Sequence, residues 1–268
     1  METIKRGSSR QRANTILQAL LVQAGYSLTV DGKFGAGTDT ALRQYQLARG
    51  LVNDGIVGEK TWATLFQEFP DVLARMTAKY LSEKDLERTA KKMNVELAAI
   101  KAVNDIESAG TGFIIDQPKI LFEGHIFWRR LKEYNVDPNV YKSEYPDVIY
   151  PKWTTQHYRG GLAEYDRLNL AKTIHEDAAL ESASWGAFQV MGFHALSLKY
   201  KSVKEFVRKM HHHEREHLDA CRRYIETNGL TKALRDKNWS AFARGYNGPG
   251  YKRNGYHIKL ARAYARHT

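Results

Sequence analysis

Val95-Glu-Leu-Ala-Ala-Ile-Lys-Ala-Val-Asn-Asp-Ile-Glu107 runs directly into Ser108-Ala109-Gly110. The run predicts a helix over 95–107, with Asn94 as its N-cap and Gly110 as the usual residue just past a helix end. Counting back from Glu107 in helical steps meets Val103, Ile100 and Leu97, so the carboxylate shares a face with the apolar stripe. Burial disfavours its anion, and the negative end of the helix dipole disfavours it again. A carboxyl held protonated near neutral pH is what a general acid needs to protonate the leaving oxygen of a glycoside. On position alone, a partly buried Glu hydrogen-bonded to a neighbouring loop is the stronger reading. The rest of the chain reverses that preference.

A chain of 268 residues with 43% hydrophobic and 11% aromatic content can bury a proper core in one large domain or two. No apolar run approaches the length of a membrane span, so stable membrane insertion is not expected. The segment Met1-Glu-Thr-Ile-Lys-Arg-Gly-Ser-Ser-Arg10 lacks the apolar stretch of a secretory signal, which predicts synthesis in a cytosol and delivery by other means. Cys221 is the one cysteine, so no internal disulfide can form, and its register with Leu218 and Ile225 predicts a buried small hydrophobe. With 41 basic against 30 acidic residues the net charge is +11, which favours a polyanionic partner: nucleic acid, anionic membrane or wall polymer. The basic residues are scattered rather than gathered in an arm, which argues against a nucleic-acid partner.

The first segment repeats itself. Asp31-Gly-Lys-Phe-Gly35-Ala-Gly-Thr38 recurs as Asp54-Gly-Ile-Val-Gly58-Glu-Lys-Thr61. Each copy carries Asp-Gly turn chemistry and leads into a helix whose expected cap is the threonine, Thr38 or Thr61. An earlier helix, about Arg12 to Ala24, presents Ile16, Leu17, Leu20 and Leu21, so three short helices make a small bundle ending near Phe66. Leu20, Gly25-Tyr26, Asp31-Gly32, Phe34-Gly35, Thr38, Tyr45-Gln46, Gly50-Leu51, Asp54-Gly55, Val57-Gly58 and Thr61-Trp62 stand in an order that resembles the peptidoglycan-binding module of many wall-lytic enzymes. The Asp-Gly turns are read as loop builders and not as ligand contacts. The expected division is a binding domain over 1–70, a connection over 71–81 around Phe69-Pro70-Asp71, and a second domain over 82–268.

The second domain reads as mostly helical. Ser82-Glu-Lys-Asp85 has the pattern of a capping box. Helices are predicted near 82–93, 95–107, 122–134, 161–180, 202–227, 231–236 and 256–266, and Tyr145 to Trp153 reads as loop or short extended structure. The fold class is therefore mainly α: a three-helix bundle joined to a larger helical domain.

Three segments of that domain stand together: Ile106-Glu107-Ser108, Ser182-Ala-Ser-Trp-Gly186-Ala-Phe188-Gln189-Val-Met-Gly192, and Phe242-Ala-Arg-Gly-Tyr246-Asn247-Gly-Pro-Gly250-Tyr251. Their order resembles the lysozyme-like superfamily, in particular goose-type lysozymes and lytic transglycosylases. With Lys119-Ile-Leu-Phe-Glu123-Gly-His125-Ile-Phe-Trp-Arg added, it is more similar still to the bacteriophage endolysin family of N-acetylmuramidases. The resemblance covers nearly all of 85–268. It implies Glu107 as general acid, with Ser108, Gly186, Phe188, Gln189, Tyr246 and Asn247 along a groove for sugar or peptide amides. It implies no cofactor and no metal, and peptidoglycan as the partner of both domains of a monomer. Glu123 reads either as a second carboxylate or as an ion-pair partner of Arg129 or Arg130. Asp116 and Glu181 are further candidates for a water-activating carboxylate, with Glu176 and Asp177 also in reach across a cleft, and the choice stays open.

Two patterns point elsewhere. His213-Glu214-Arg-Glu-His217 fits the zinc-protease spacing of two histidines flanking a general-base glutamate. Its helix is strongly charged, no third ligand follows at an obvious spacing, and the muramidase family matches here at Glu214 with an amide common at the position of His217, which suggests a structural role. The basic amphipathic run His257-Ile-Lys-Leu-Ala-Arg-Ala-Tyr-Ala-Arg-His267 could lie on an anionic membrane; the preferred reading is a closing helix with Ile258, Leu260, Ala261 and Tyr264 inside. The resemblance thus implies an endolysin, made in a host cytoplasm and acting on the wall at lysis, that cuts glycan between N-acetylmuramic acid and N-acetylglucosamine. Rival readings are a lytic transglycosylase leaving 1,6-anhydro ends, a zinc peptidase, and a non-enzymatic wall-binding protein.

Overall fold

The computed structural model describes residues 1–108 and 111–268, and among them the chain forms fourteen α-helices and seven strands of two or three residues. The expected stop at Ala109-Gly110 lies outside the described residues. No helix among them is long and apolar enough to cross a membrane.

The first unit is built by α1 (Gln11–Gln23), α2 (Ala36–Ala48) and α3 (Glu59–Glu68). Ile16, Leu17, Leu20 and Leu21 of α1 are buried against Leu42, Tyr45, Trp62 and Leu65. A two-stranded antiparallel ribbon, β1 (Ile4–Lys5) on β2 (Ile56–Val57), ties the N-terminus to the second turn. The two Asp-Gly turns are each plugged from a preceding helix. Gln18 donates to Asp31 Oδ1 (2.8 Å) and Lys33 O (3.0 Å) while accepting from the Gly32 amide (2.8 Å). Gln46 donates to Asp54 Oδ1 (3.1 Å) and Ile56 O (2.9 Å) and accepts from the Gly55 amide (3.0 Å). Both glutamines are 1% exposed, and both turn glycines have positive φ, +76° and +69°. The repeat is thus a structural device, one buried amide for each tight turn.

Thr38 and Thr61 are not the caps. The helices begin earlier, with extended Gly35 and Gly58 at the N-caps, and the threonines sit buried in the first turn beside the plugging amides. The segment expected as a connection contains a helix, α4 (Pro70–Ala78), opened by proline at a position that needs no amide donor. Val72 and Tyr80 join the first core, so this stretch belongs to the bundle.

The second unit starts with α5 (Glu83–Met93). Asp85 accepts from the Ser82 amide (3.0 Å), the return bond of the capping box, and also from the Ser82 hydroxyl (2.7 Å). Asn94 ends α5 in the left-handed region (φ 52°) instead of opening the next helix. That helix, α6 (Leu97–Glu107), has Glu96 at its N-cap. Next come a hairpin, β3 (Phe113–Ile114) on β4 (Gln117–Pro118), then β5 (Ile120–Phe122) and α7 (Gly124–Glu133). The predicted helix 161–180 is two, α8 (Glu164–Ile174) and α9 (Glu176–Glu181), broken at extended His175, whose ring accepts from the Ala178 amide (3.1 Å). β5 pairs antiparallel with β6 (Ala183–Trp185), which pairs with β7 (Val190–Met191).

The predicted helix 202–227 also divides, into α10 (Val203–Met210) and α11 (Glu214–Thr227), with His213 capping the latter by accepting from the Arg215 amide (3.0 Å). α12 (Thr231–Arg235) is followed by α13 (Trp239–Asn247), absent from the sequence reading and capped by Asn238. α14 (Tyr256–Ala265) closes the domain against α6. Leu260 and Ala263 face inward; Ile258, expected inside, is 48% exposed. Cys221, Leu218 and Ile225 are buried together as expected. Phe122, Phe127, Trp185, Phe206 and Phe242 form the centre of this core. The two units pack closely: Ile114 belongs to the first core, and Ile115 and Leu162 lie against it.

Candidate active site

Glu107 is the last residue of α6, set over a buried stripe of Val103 and Ile100 with Leu97 half-buried. Three elements meet at its carboxylate. The end of α13 supplies Asn247, which donates to Glu107 Oε2 (2.9 Å). α11 supplies Cys221, and α14 supplies Lys259, each close enough to interact electrostatically with Glu107. Burial pushes the Glu107 carboxyl up to about 7, against the opposing pull of the Asn247 hydrogen bond and the Lys259 charge. Among the described residues, Oε1 of Glu107 and Oδ1 of Asn247 are buried without a hydrogen-bond partner. A protonated carboxyl with one oxygen pinned and the other unengaged can donate to an oxygen brought in from outside.

Tyr246 precedes Asn247 on α13 and is half-buried. Its ring stacks on Phe242 (5.5 Å between centroids) and meets Tyr224 edge-on (5.4 Å), and its hydroxyl lies 3.4 Å from Cys221 Sγ. Tyr246 also lines a cleft of about 150 Å³ with Phe188, Gln189, His194 and Tyr224. The sequence segments around 188 and 246 are therefore brought together, and Tyr246 joins them to Glu107. Tyr224 went unnoticed in the sequence, although it stands one helical turn from Cys221 on α11. His194 carries no sequence signal.

Several expected groove residues do other work. Gln189 takes a left-handed backbone (φ 49°), and its amide is fully used: it donates to Gly186 O (2.8 Å) and Lys119 O (3.3 Å) and accepts from Ser184 (2.9 Å). It shapes the cleft wall rather than offering a free amide. Gly186 was expected along the groove. Its φ is +73°, and a Cβ there would sit 2.6 Å from the His217 ring, so the glycine is required by packing. Ser108 faces a different cleft, about 630 Å³, between the ends of α6 and α1, with Asn104, Asp105 and Arg12.

The carboxylate candidates separate by their partners. Glu181 is held by Arg130 Nε (2.7 Å) and the Tyr134 hydroxyl (3.1 Å), a buried structural pair. Asp116 sits in the β3–β4 turn beside Arg75 (3.9 Å) and Lys79 (3.8 Å), at the boundary of the two units. Glu123 pairs with neither Arg129 nor Arg130 here: it stands at the N-cap position of α7 without a side-chain cap bond, accepts from the Tyr158 hydroxyl (2.6 Å) and lies 3.3 Å from His125 Nδ1.

The zinc-like pattern is consumed by the fold. His217 is 1% exposed, its Nδ1 accepts from the Ala187 amide (3.1 Å), and its Nε2 donates to Met210 O (2.7 Å). Burial holds it neutral, down to about 4. Glu214 is buried in hydrogen bonds, and His213 caps α11. Both ring nitrogens of His217 are spent, so the set cannot open toward a metal without breaking the core.

A family model described as "N-acetylmuramidase" matches residues 96–268, and one described as "Putative peptidoglycan binding domain" matches residues 13–65. The chain is also similar to the crystal structure of a Burkholderia AP3 phage endolysin, at 40% identity and a TM-score of 0.69, covering 99% of this chain and 98% of that one. No curated protein matches it.

Proposed function

The chain belongs to the N-acetylmuramidase family, with a peptidoglycan-binding module ahead of its catalytic domain, and we propose that it works as an endolysin in which Glu107 is the general acid. It is a peptidoglycan-cleaving hydrolase. Glu107 delivers its proton to the bridging oxygen between N-acetylmuramic acid and N-acetylglucosamine as that bond breaks. Asn247 orients the carboxyl through Oε2, leaving Oε1 for the leaving oxygen, and Tyr246 presents aromatic surface to a sugar face, with Phe188 buried behind the cleft. The observation that carries this reading is the carboxyl at Glu107, pushed to about 7 by burial and pinned on one side only.

Water completes the reaction, giving a reducing muramic acid end; the family description supports this over ring closure to an anhydro end. Of the five candidate carboxylates, Asp116, Glu181, Glu176 and Asp177 are engaged by cations, which favours Glu123 as the group that activates water. The enzyme acts as a monomer on the wall, and the tethered module raises the substrate concentration seen by the catalytic domain. Digestion of purified sacculi by wild type and Glu107→Gln, with fragments weighed by mass spectrometry, tests the assignment. Wild type is expected to release reducing-end fragments and the variant to lose at least about 100-fold in rate while still sedimenting with sacculi. Anhydro ends would establish the transglycosylase instead, and an active variant would remove Glu107 from the chemistry.

A further inference from the structure

The cleft lined by Tyr246 encloses about 150 Å³, below the roughly 300–1,000 Å³ of sites that enclose a whole small ligand, so it suits a substituent of a sugar whose ring lies across its mouth. One wall is apolar: Phe188 and Val190 are buried and Met191 is half-buried. The polar groups that the sequence motifs bring there are already spent. Gln189 uses its amide on Gly186, Lys119 and Ser184, and the Tyr246 hydroxyl lies against Cys221 Sγ. Two lining groups stay open. Among the described residues, neither ring nitrogen of His194 nor the hydroxyl of Tyr224 has a hydrogen-bond partner. Both rings are nonetheless fixed in place. Tyr224 meets His194 (5.3 Å) and Tyr246 (5.4 Å) edge-on, and His194 leans on Phe193 (4.3 Å).

We propose that this cleft seats an acetamido group of the glycan, and that His194 and Tyr224 are the residues that recognise it. The chemistry matches group by group. An acetamide carries a methyl, a carbonyl that accepts and an N–H that donates. The apolar wall suits the methyl, and a neutral imidazole and a phenol can each donate and accept. Burial lowers the pKa of His194 from its ordinary value, so at neutral pH its ring keeps one N–H and one bare nitrogen. An amine in place of the acetamide would set a charge against the apolar wall and leave the carbonyl's donor unanswered. Position ties the cleft to the reaction: Tyr246 lines it, and the next residue, Asn247, holds Glu107 Oε2 at 2.9 Å. The acetamide belongs to a sugar flanking the bond that Glu107 protonates, and in this the inference rests on Glu107 being the acid.

The experiment separates the two. Steady-state kinetics of the full chain are measured on peptide-free glycan strands in three forms: fully N-acetylated, de-N-acetylated by a deacetylase, and re-acetylated with acetic anhydride. Wild type, His194→Ala, Tyr224→Phe and Glu107→Gln are compared. Wild type is expected to lose at least about 30-fold in kcat/KM on de-N-acetylated strands and to recover on re-acetylation. His194→Ala and Tyr224→Phe are each expected to lose about three- to tenfold on acetylated strands while staying within about twofold of wild type on de-N-acetylated ones. Near-UV circular dichroism checks that the variants fold, and Tyr224→Phe keeps both ring contacts, so it carries the test if His194→Ala does not. Wild type indifferent to acetylation, variants that keep wild-type discrimination, or a loss of equal size on both kinds of strand overturns the inference. Full activity of Glu107→Gln would instead overturn the acid assignment, and the acetamide site is judged by the other three proteins.

Discussion

A carboxyl raised to about 7 is a liability to the fold as well as a tool. Glu107 binds its proton more tightly in the folded state than in the unfolded chain, where the carboxyl has its ordinary value of 4.5. Its contribution to stability is therefore complete below about pH 4.5 and is lost as pH rises through about 7, where the buried anion must form. Glu107→Gln removes that cost. The variant is expected to be more stable than wild type at about pH 8, by up to about 3 kcal/mol, with the difference fading toward pH 4.5. Chemical denaturation at both pH values checks this, and a variant less stable than wild type at the higher pH contradicts it. The sequence carried this residue well, because the apolar stripe beneath it and the helix end beside it were both visible. Its main partner, Asn247, was visible only as part of a motif; the hydrogen bond joins residues 140 positions apart and no periodicity predicts it.

At the level of elements, long amphipathic helices were legible and their interruptions were not. His175 and His213 each break a continuous pattern by accepting a backbone amide on a ring nitrogen. Imidazole is not among the usual N-cap side chains, so neither break announces itself. α13 is absent from the predicted helices: Gly245 lies inside it and Gly248, Pro249 and Gly250 follow at once, which weakens any helical pattern, although Asn238 is a proper cap for it. The Thr38 and Thr61 caps failed for a related reason: glycine in extended conformation starts the helix, and the threonine is drawn inward to a buried glutamine. The turn between β6 and β7 offers a direct check on local geometry. Gly186→Ala would force a side chain into positive φ and against His217, costing about 2–4 kcal/mol in thermal or urea unfolding. A loss below about 0.5 kcal/mol would show that the turn relaxes freely and that the glycine is not required there.

The whole molecule is less modular than its sequence. Composition and the repeated turns supported two domains with a connection between them, and both domains exist. The connection does not behave as one, since α4 packs on the first bundle, Tyr80 joins its core and Ile114 enters it from the second unit. Long-range docking of this kind leaves no local signature: Arg12 and Glu214 are 202 residues apart, and no spacing or periodicity pairs them. A shared boundary of buried apolar residues and an ion pair from a half-exposed arginine to a buried carboxylate predicts one cooperative unfolding transition for the intact chain. Calorimetry checks this through the agreement of calorimetric and van't Hoff enthalpies; two separated transitions would show that the units are independent.

The claim beneath all of this is that Glu107 remains protonated into the neutral range. Following the Glu107 side-chain carboxyl by carbon-13 NMR across a pH titration tests it directly. The account predicts a midpoint near 7, and a midpoint below about 5 would contradict it.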